Sequence, residues 1–171
     1  LRQGASGYLN KDCDPDEIVK AIRTVAGGRR YISAGVAERM VDVGRRVIRD
    51  YMPDQHRDFF AQLPFIVLGS VDAQGDVWAT LRANAPGFMH SPDPRTLAIN
   101  LARDPGDPAE AGFDDGAAVG LLGIELHTRR RNRMNGIIRR QDEAHFTVAV
   151  GQSYGNCPQY IQLRQFAFTR P

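Results

Sequence analysis

The 171-residue sequence predicts an α+β chain, mainly β with flanking helices and a helical segment at its N-terminal end. Three observations carry this. A capped amphipathic helix pattern is confined to the first third, the apolar spacing switches to period two at Phe65, and turn residues punctuate everything that follows. The composition, 42% hydrophobic and 25% charged, is that of an ordinary globular protein and excludes wholesale disorder. The length leaves room for one main core and a short second piece.

Asp14-Pro15-Asp16-Glu17 reads as a helix start: Asp14 caps, Pro15 suits the first turn, and Glu17 stands where a capping box places its carboxylate. Ile18, Ala21, Ile22 and Val25 fall on one face, and Gly27-Gly28 supplies a left-handed stop. A second helix is expected after Ser33, with Val36, Met40, Val43 and Val47 forming a narrow seam, and it should end near Met52-Pro53. Gly35 and Gly44 each weaken it by about 1 kcal/mol relative to alanine, so it depends on packing. A short third helix over Asp54 to Gln62 presents Phe59, Phe60 and Leu63 to a core.

Phe65 to Val71 is a buried-strand run, Asp72 to Asp76 a turn, and Val77 to Arg82 the returning strand of a hairpin. Further strands are expected at Gly87 to His90, Thr96 to Leu101, Ala118 to Leu126, Arg130 to Arg140 and Ala144 to Gly151. Turns are read at Ser91-Pro92-Asp93-Pro94 and His127-Thr128. Ala102 to Gly116 is a long loop with one short helix after Asp107-Pro108. Beyond a turn at Tyr154-Gly155-Asn156, Pro158 suits the first turn of a closing helix. So many short strands suggest a barrel, expected as six-stranded and antiparallel.

A net charge of +2 gives no strong field toward nucleic acid or anionic membrane. Cys13 and Cys157 match no zinc or disulfide spacing, and His56, His90, His127 and His145 are scattered, so no metal site is expected. No apolar run reaches the length that spans a bilayer and no signal peptide is visible, which places the protein in the cytoplasm. Leu1 to Ala5 reads as the middle of an element, so the chain is expected to be cut from a longer one.

Gly4-Ala5-Ser6-Gly7-Tyr8-Leu9-Asn10-Lys11-Asp12, the capped helix, and Gly27-Gly28-Arg29-Arg30-Tyr31-Ile32-Ser33 together resemble the last strand and helix of a response-regulator receiver domain, over about residues 1 to 41. That resemblance makes Lys11 the match of the lysine that pairs with the phosphorylated aspartate. The phosphoacceptor itself has no counterpart here, so phosphotransfer is not expected. An amphipathic helix and strand that merely pack is the bland alternative.

A second resemblance covers about residues 44 to 164. Ser70-Val71-Asp72 with Gly75 and Trp78-Ala79-Thr80, then Pro86-Gly87-Phe88, Gly120-Leu121-Leu122, Thr128-Arg129-Arg130-Arg131-Asn132-Arg133-Met134-Asn135-Gly136 and Tyr154-Gly155-Asn156-Cys157-Pro158-Gln159-Tyr160-Ile161-Gln162 are similar, in that order, to the pyridoxamine 5'-phosphate oxidase family. The resemblance implies an FMN-binding split β-barrel that dimerises and binds FMN, with FAD as the other flavin, at the subunit interface. On it the chain divides into a receiver-like fragment, 1–42, and a flavin-binding domain, 43–171, whose C-terminal part is incomplete.

A flavin phosphate needs cationic forks, and the ring an apolar wall with a few hydrogen bonds. By period-two alternation Arg131, Arg133 and Asn135 share one face of their strand and Met134 takes the other, so an arginine pair aimed inward would hold the phosphate. The alternative is a solvated edge strand defended by charge. RNA contact is disfavoured because no aromatic side chains interleave the arginines. The resemblance puts Trp78 and Thr80 beside the flavin, as wall and hydrogen-bonding partner, while unaided Trp78 reads as a packing residue. No catalytic residue is legible: Cys157 lacks a neighbouring base.

The expected function is that of an FMN-dependent oxidoreductase of unread substrate. A non-catalytic flavin-binding or dimerisation module, or a signalling fragment derived from a response regulator, is the competing class.

Overall fold

The computed structural model describes residues 6–9, 12–157, 161–167 and 169, and divides the chain into two compact units, Leu1–Val47 and Ile48–Pro171. The division falls a few residues beyond the expected 42/43 junction, at the end of the second helix, which stops at Val47 short of the expected Met52-Pro53. Lys11, Pro158 and Tyr160 lie outside the described residues.

In the first unit, β1 (Gly7–Tyr8) pairs in parallel with β2 (Tyr31–Ile32) across α1 (Pro15–Ala26), and α2 (Ala34–Val47) follows. Asp14 caps α1 as expected, its carboxylate accepting from the Asp16 N–H at 2.8 Å. The capping box is not closed. The Glu17 carboxylate turns away to accept the Tyr31 hydroxyl at 3.2 Å, tying α1 to β2. Gly28, at φ 76°, supplies the left-handed stop. The expected apolar seams are only partly covered: Ala21 is buried, yet Ile18 and Ile22 on α1 and Met40 on α2 are exposed.

The second unit opens with α3 (Asp54–Ala61), which sinks Phe59 and Phe60 fully into the core, joined just past its end by Leu63. Seven strands follow: β3 (Phe65–Val71), β4 (Val77–Ala83), β5 (Met89–Asp93), β6 (Thr96–Asn100), β7 (Ala118–Glu125), β8 (Arg130–Arg140) and β9 (His145–Asn156). All seven join one antiparallel sheet in the order β4-β3-β7-β8-β9-β6-β5. The expected six-stranded barrel is thereby corrected. Every run that reads as a strand is recruited, and among the described residues no pairing joins β4 to β5 to close the sheet.

Two further boundaries differ from expectation, each for a local reason. Ser91 to Asp93 was expected as a turn but extends β5; Pro92 is tolerated there because β5 is an edge strand. Tyr154-Gly155-Asn156 was also expected as a turn but continues β9. The pairing passes from Gly136 opposite Val150 to Asn135 opposite Gln152, so Gly151 is taken up as the extra residue of a bulge and the strand runs on beside β8. The described residues 161–167 adopt no regular structure, so no closing helix forms there.

Opposed pairs fix the two faces of the sheet. The inner face joins Ile66, Leu68, Leu121, Met134 and Ile138 to Phe59 and Phe60 in one buried cluster. Gly123 is required on that face: a Cβ there would lie 2.5 Å from Phe59 Cε1 and 2.8 Å from Leu63 Cδ1. Pro108–Gly112, a 3-10 turn capped by Asp107, packs against β3, where the Ser70 hydroxyl donates to the Ala109 carbonyl at 2.9 Å. No helix among the described residues is long and apolar enough to cross a membrane.

Candidate functional site

Strand β8 carries the arginines, and its register decides where they point. Arg131 stands opposite Ile124, Arg133 opposite Leu122 and Asn135 opposite Gly120, all on the face away from the core, whereas Arg130, Asn132 and Met134 face inward. Arg131, Arg133 and Asn135 therefore share a face as period-two alternation predicts, but the expectation that they aim inward is reversed. Leu121 and Met134, buried and opposite one another, already fill the inner side at that level. Neither is β8 an edge strand: it lies between β7 and β9, and the edges are β4 and β5.

The outer face is unusually apolar. Val71 on β3, Val77 and Leu81 on β4, and Ile137 on β8 are all substantially exposed, Val77 to 80%. Arg133 is exposed on the same face, in the row of Leu81, and Arg131 is half-buried; Val71, Val77 and Ile137 lie farther along it. Arg131 Nη2 donates to the Cys157 carbonyl at 2.8 Å, while its Nε is buried with no hydrogen-bond partner. Asn135 donates to the Gln152 side chain at 2.9 Å.

Trp78 and Thr80 lie elsewhere. They oppose Ser70 and Leu68 on the core-side face of β4, three strands and about 14 Å across the sheet from β8. Trp78 Nε1 donates to the Asp72 carboxylate at 2.8 Å, and the Thr80 hydroxyl bonds Asp107, helping to hold that carboxyl below its ordinary range. Arg82, next on the same face, pairs with the nearly buried Glu110 at 2.6 Å. Thr80 and Arg82 thus clamp the Ala102 to Gly116 loop, while Trp78 holds the β3–β4 turn. Within one chain the five expected residues thus form two groups on opposite faces.

Sequence reading missed a third place. At the turn between β7 and β8, Arg129, Arg130, Arg131 and Asn132 line a recess of about 270 Å³ together with His56 of α3 and Gly155 of β9. Arg129 adopts φ 60°, the only non-glycine at positive φ among the described residues. Arg130 stacks over the Phe59 ring and lies 3.8 Å from the buried Glu125 carboxylate, which also accepts from Gln62 and Thr128. Asn132, only 6% exposed, has its Nδ2 buried without a partner. His56 Nδ1 meets the Ser153 hydroxyl at 2.8 Å, and burial, then the fields of Arg49 and Arg130, push its pKa down. The run of arginines was a visible signal; the approach of α3 to it was not.

No family model matches the chain. Part of it is similar to response regulators. It is 54% identical over 47 residues to the transcriptional regulatory protein MctR of Rhizobium johnstonii, which is 28% of this chain and 21% of that protein. It is 48% identical over 40 residues to the response regulator UvrY of Escherichia coli K12, covering 23% and 18%. To the response regulator GacA of Pseudomonas aeruginosa it is 35% identical over 63 residues, covering 37% and 27%. The matched part is thus about a fifth to a quarter of the length of these relatives. Among solved structures, HupZ of Group A Streptococcus aligns at TM-score 0.49 and 12% identity over 67% of this chain and 99% of that one. Its H111A variant aligns at TM-score 0.49 and 13% identity, over 61% and 99%.

Proposed function

We propose that the Ile48–Pro171 unit is a flavin-binding domain of the pyridoxamine 5'-phosphate oxidase-like split-barrel type, holding FMN against the outer face of its sheet in a homodimer and serving as an oxidoreductase. The observation that carries this is Arg131: a guanidinium with a buried, unpartnered Nε, on the same sheet face as Arg133 and as the exposed Leu81 and Val77. A buried donor without a partner costs roughly 1–3 kcal/mol, and an incoming phosphate oxygen would satisfy it. The apolar side chains of β3 and β4 supply the dry wall a ring system needs, and an exposed face of that kind is otherwise an aggregation hazard.

Arg131 and Arg133 hold the phosphate as a pair of forks, and Asn135 offers an amide beside them. Trp78 and Thr80 belong to such a site only if a second copy of the chain brings its β4 edge over the outer face, which is a reason to expect a dimer. Bound flavin would supply hydride or electron transfer, and this chain's residues orient it and exclude water. Similarity to response regulators favours a second reading, a flavin-holding module tied to signalling without turnover.

Titrating the purified chain with FMN, read by flavin fluorescence, tests the proposal. Saturable binding on the order of 1 µM, lost in an Arg131→Ala/Arg133→Ala double variant, supports it; a folded protein that binds no flavin refutes it. Reduction of the bound flavin by NADH or NADPH, faster than that of free FMN, then separates the enzyme from the module.

A further inference from the structure

The recess at the β7–β8 turn shares Arg131 alone with the flavin reading, whose other residues lie on the outer face or on β4. Its inner wall is Arg130 and Asn132 of β8, facing the core, with Gly155 of β9 paired opposite Asn132, and its roof is the start of α3 at Gln55 and His56. Arg129, Arg130 and Arg131 line it and no carboxylate does. Glu125, close by, is occupied by Gln62 and Thr128. His56, pushed toward its neutral form by burial, adds no repulsion to a cation-rich pocket. One side chain here has a buried nitrogen donor without a partner and is not used by the flavin reading: Asn132 Nδ2, on a residue more than nine-tenths buried.

We propose that this recess binds a phosphate group, as a free dianion or as the phosphomonoester of a small metabolite, at a site separate from the flavin face. A buried amide donor left unpaired is costly, so Asn132 Nδ2 beside a wall of arginines points to an absent acceptor. Guanidinium forks match the oxygens of phosphate, and a recess of about 270 Å³ admits the group with a short organic tail but not a ring system of flavin size. Arg129 supports the assignment: it holds a left-handed backbone that favours glycine and lines the recess, and a guanidinium needed there accounts for the strain.

The test is calorimetric titration of the intact chain with inorganic phosphate and with glycerol 3-phosphate, with sodium chloride as control. Arg129→Gly removes a lining charge while relaxing the backbone, so it should fold at least as well as the parent. Asn132→Asp places a carboxylate where the unpartnered donor stands, and circular dichroism checks its fold. Arg133→Ala, outside the recess, is the control for the outer face.

Expected is saturable phosphate binding with Kd on the order of 1 mM, weakened at least fivefold by Arg129→Gly and abolished by Asn132→Asp. It should be unchanged in Arg133→Ala and in protein saturated with FMN. Tighter binding of glycerol 3-phosphate identifies a phosphomonoester, equal binding free phosphate. Absence of phosphate binding, indifference to Arg129→Gly, or displacement of phosphate by FMN would overturn a separate site. The FMN titration reads the outer face independently, so failure of one proposal leaves the other standing.

Discussion

The guanidinium carbon of Arg130 lies 5.3 Å from the centroid of the Phe59 ring, which is fully buried. Phe59 in turn meets Phe60 edge-on, at 5.4 Å and 79°. One arginine thus caps the aromatic core and lines the basic recess.

Arg130→Ala should therefore destabilise the protein as well as empty part of the recess. Loss of the cation–π contact and of the cation nearest Glu125 is expected to cost about 1–2 kcal/mol. Gln62 and Thr128 continue to satisfy the carboxylate, which keeps the loss from being larger. Urea denaturation checks this: a midpoint unchanged from the parent would show that the stack contributes nothing.

Acidification should weaken the fold through His56. Burial holds its folded pKa below the ordinary value of about 6.5, so on lowering the pH the unfolded chain takes up its proton first. The contribution is complete above the unfolded value and is lost as pH falls from there toward the folded one. Denaturation midpoints measured across that window should fall for the parent and lose this component in His56→Gln.

Trp78 and Asp72 give a sharper local test. The indole N–H bond is the largest influence holding the Asp72 carboxyl low, ahead of the backbone N–H groups of Asp76, Gln74 and Gly75. In Trp78→Phe, a carbon-13 NMR titration should show Asp72 moving up toward the ordinary carboxylate value. A stationary pKa would mean that the turn backbone alone sets it.

The outer sheet face predicts the assembly state. If Val77 and Leu81, 80% and 60% exposed, are covered by a second copy, Leu81→Glu should convert a dimer to a monomer in analytical ultracentrifugation. It should also lower FMN affinity at least tenfold, because each site would lose its neighbour. A parent that is monomeric at all concentrations contradicts the interfacial site.

The sequence was sufficient for the α1 start and stop and the hairpin turn that near neighbours decide. Asp14 and Pro15 start α1, Gly28 stops it, and Asp72 to Asp76 turn the β3–β4 hairpin, because capping and turn formation are decided within a few residues. Alternation likewise placed Arg131, Arg133 and Asn135 on one face of β8, since period two is a property of the extended backbone itself.

Which face that is, alternation leaves open. It was settled by pairing with β7 and β9, which puts Met134 against Leu121 in the core and turns the arginines outward. Register between strands distant in sequence also separated Trp78 and Thr80 from the arginines. The same pairing carried β9 past its expected end and brought α3, more than seventy residues earlier, over Arg130. A strand carries two equivalent faces until a partner covers one, so the location of the candidate sites belongs to the tertiary structure and the chemistry of their residues to the sequence.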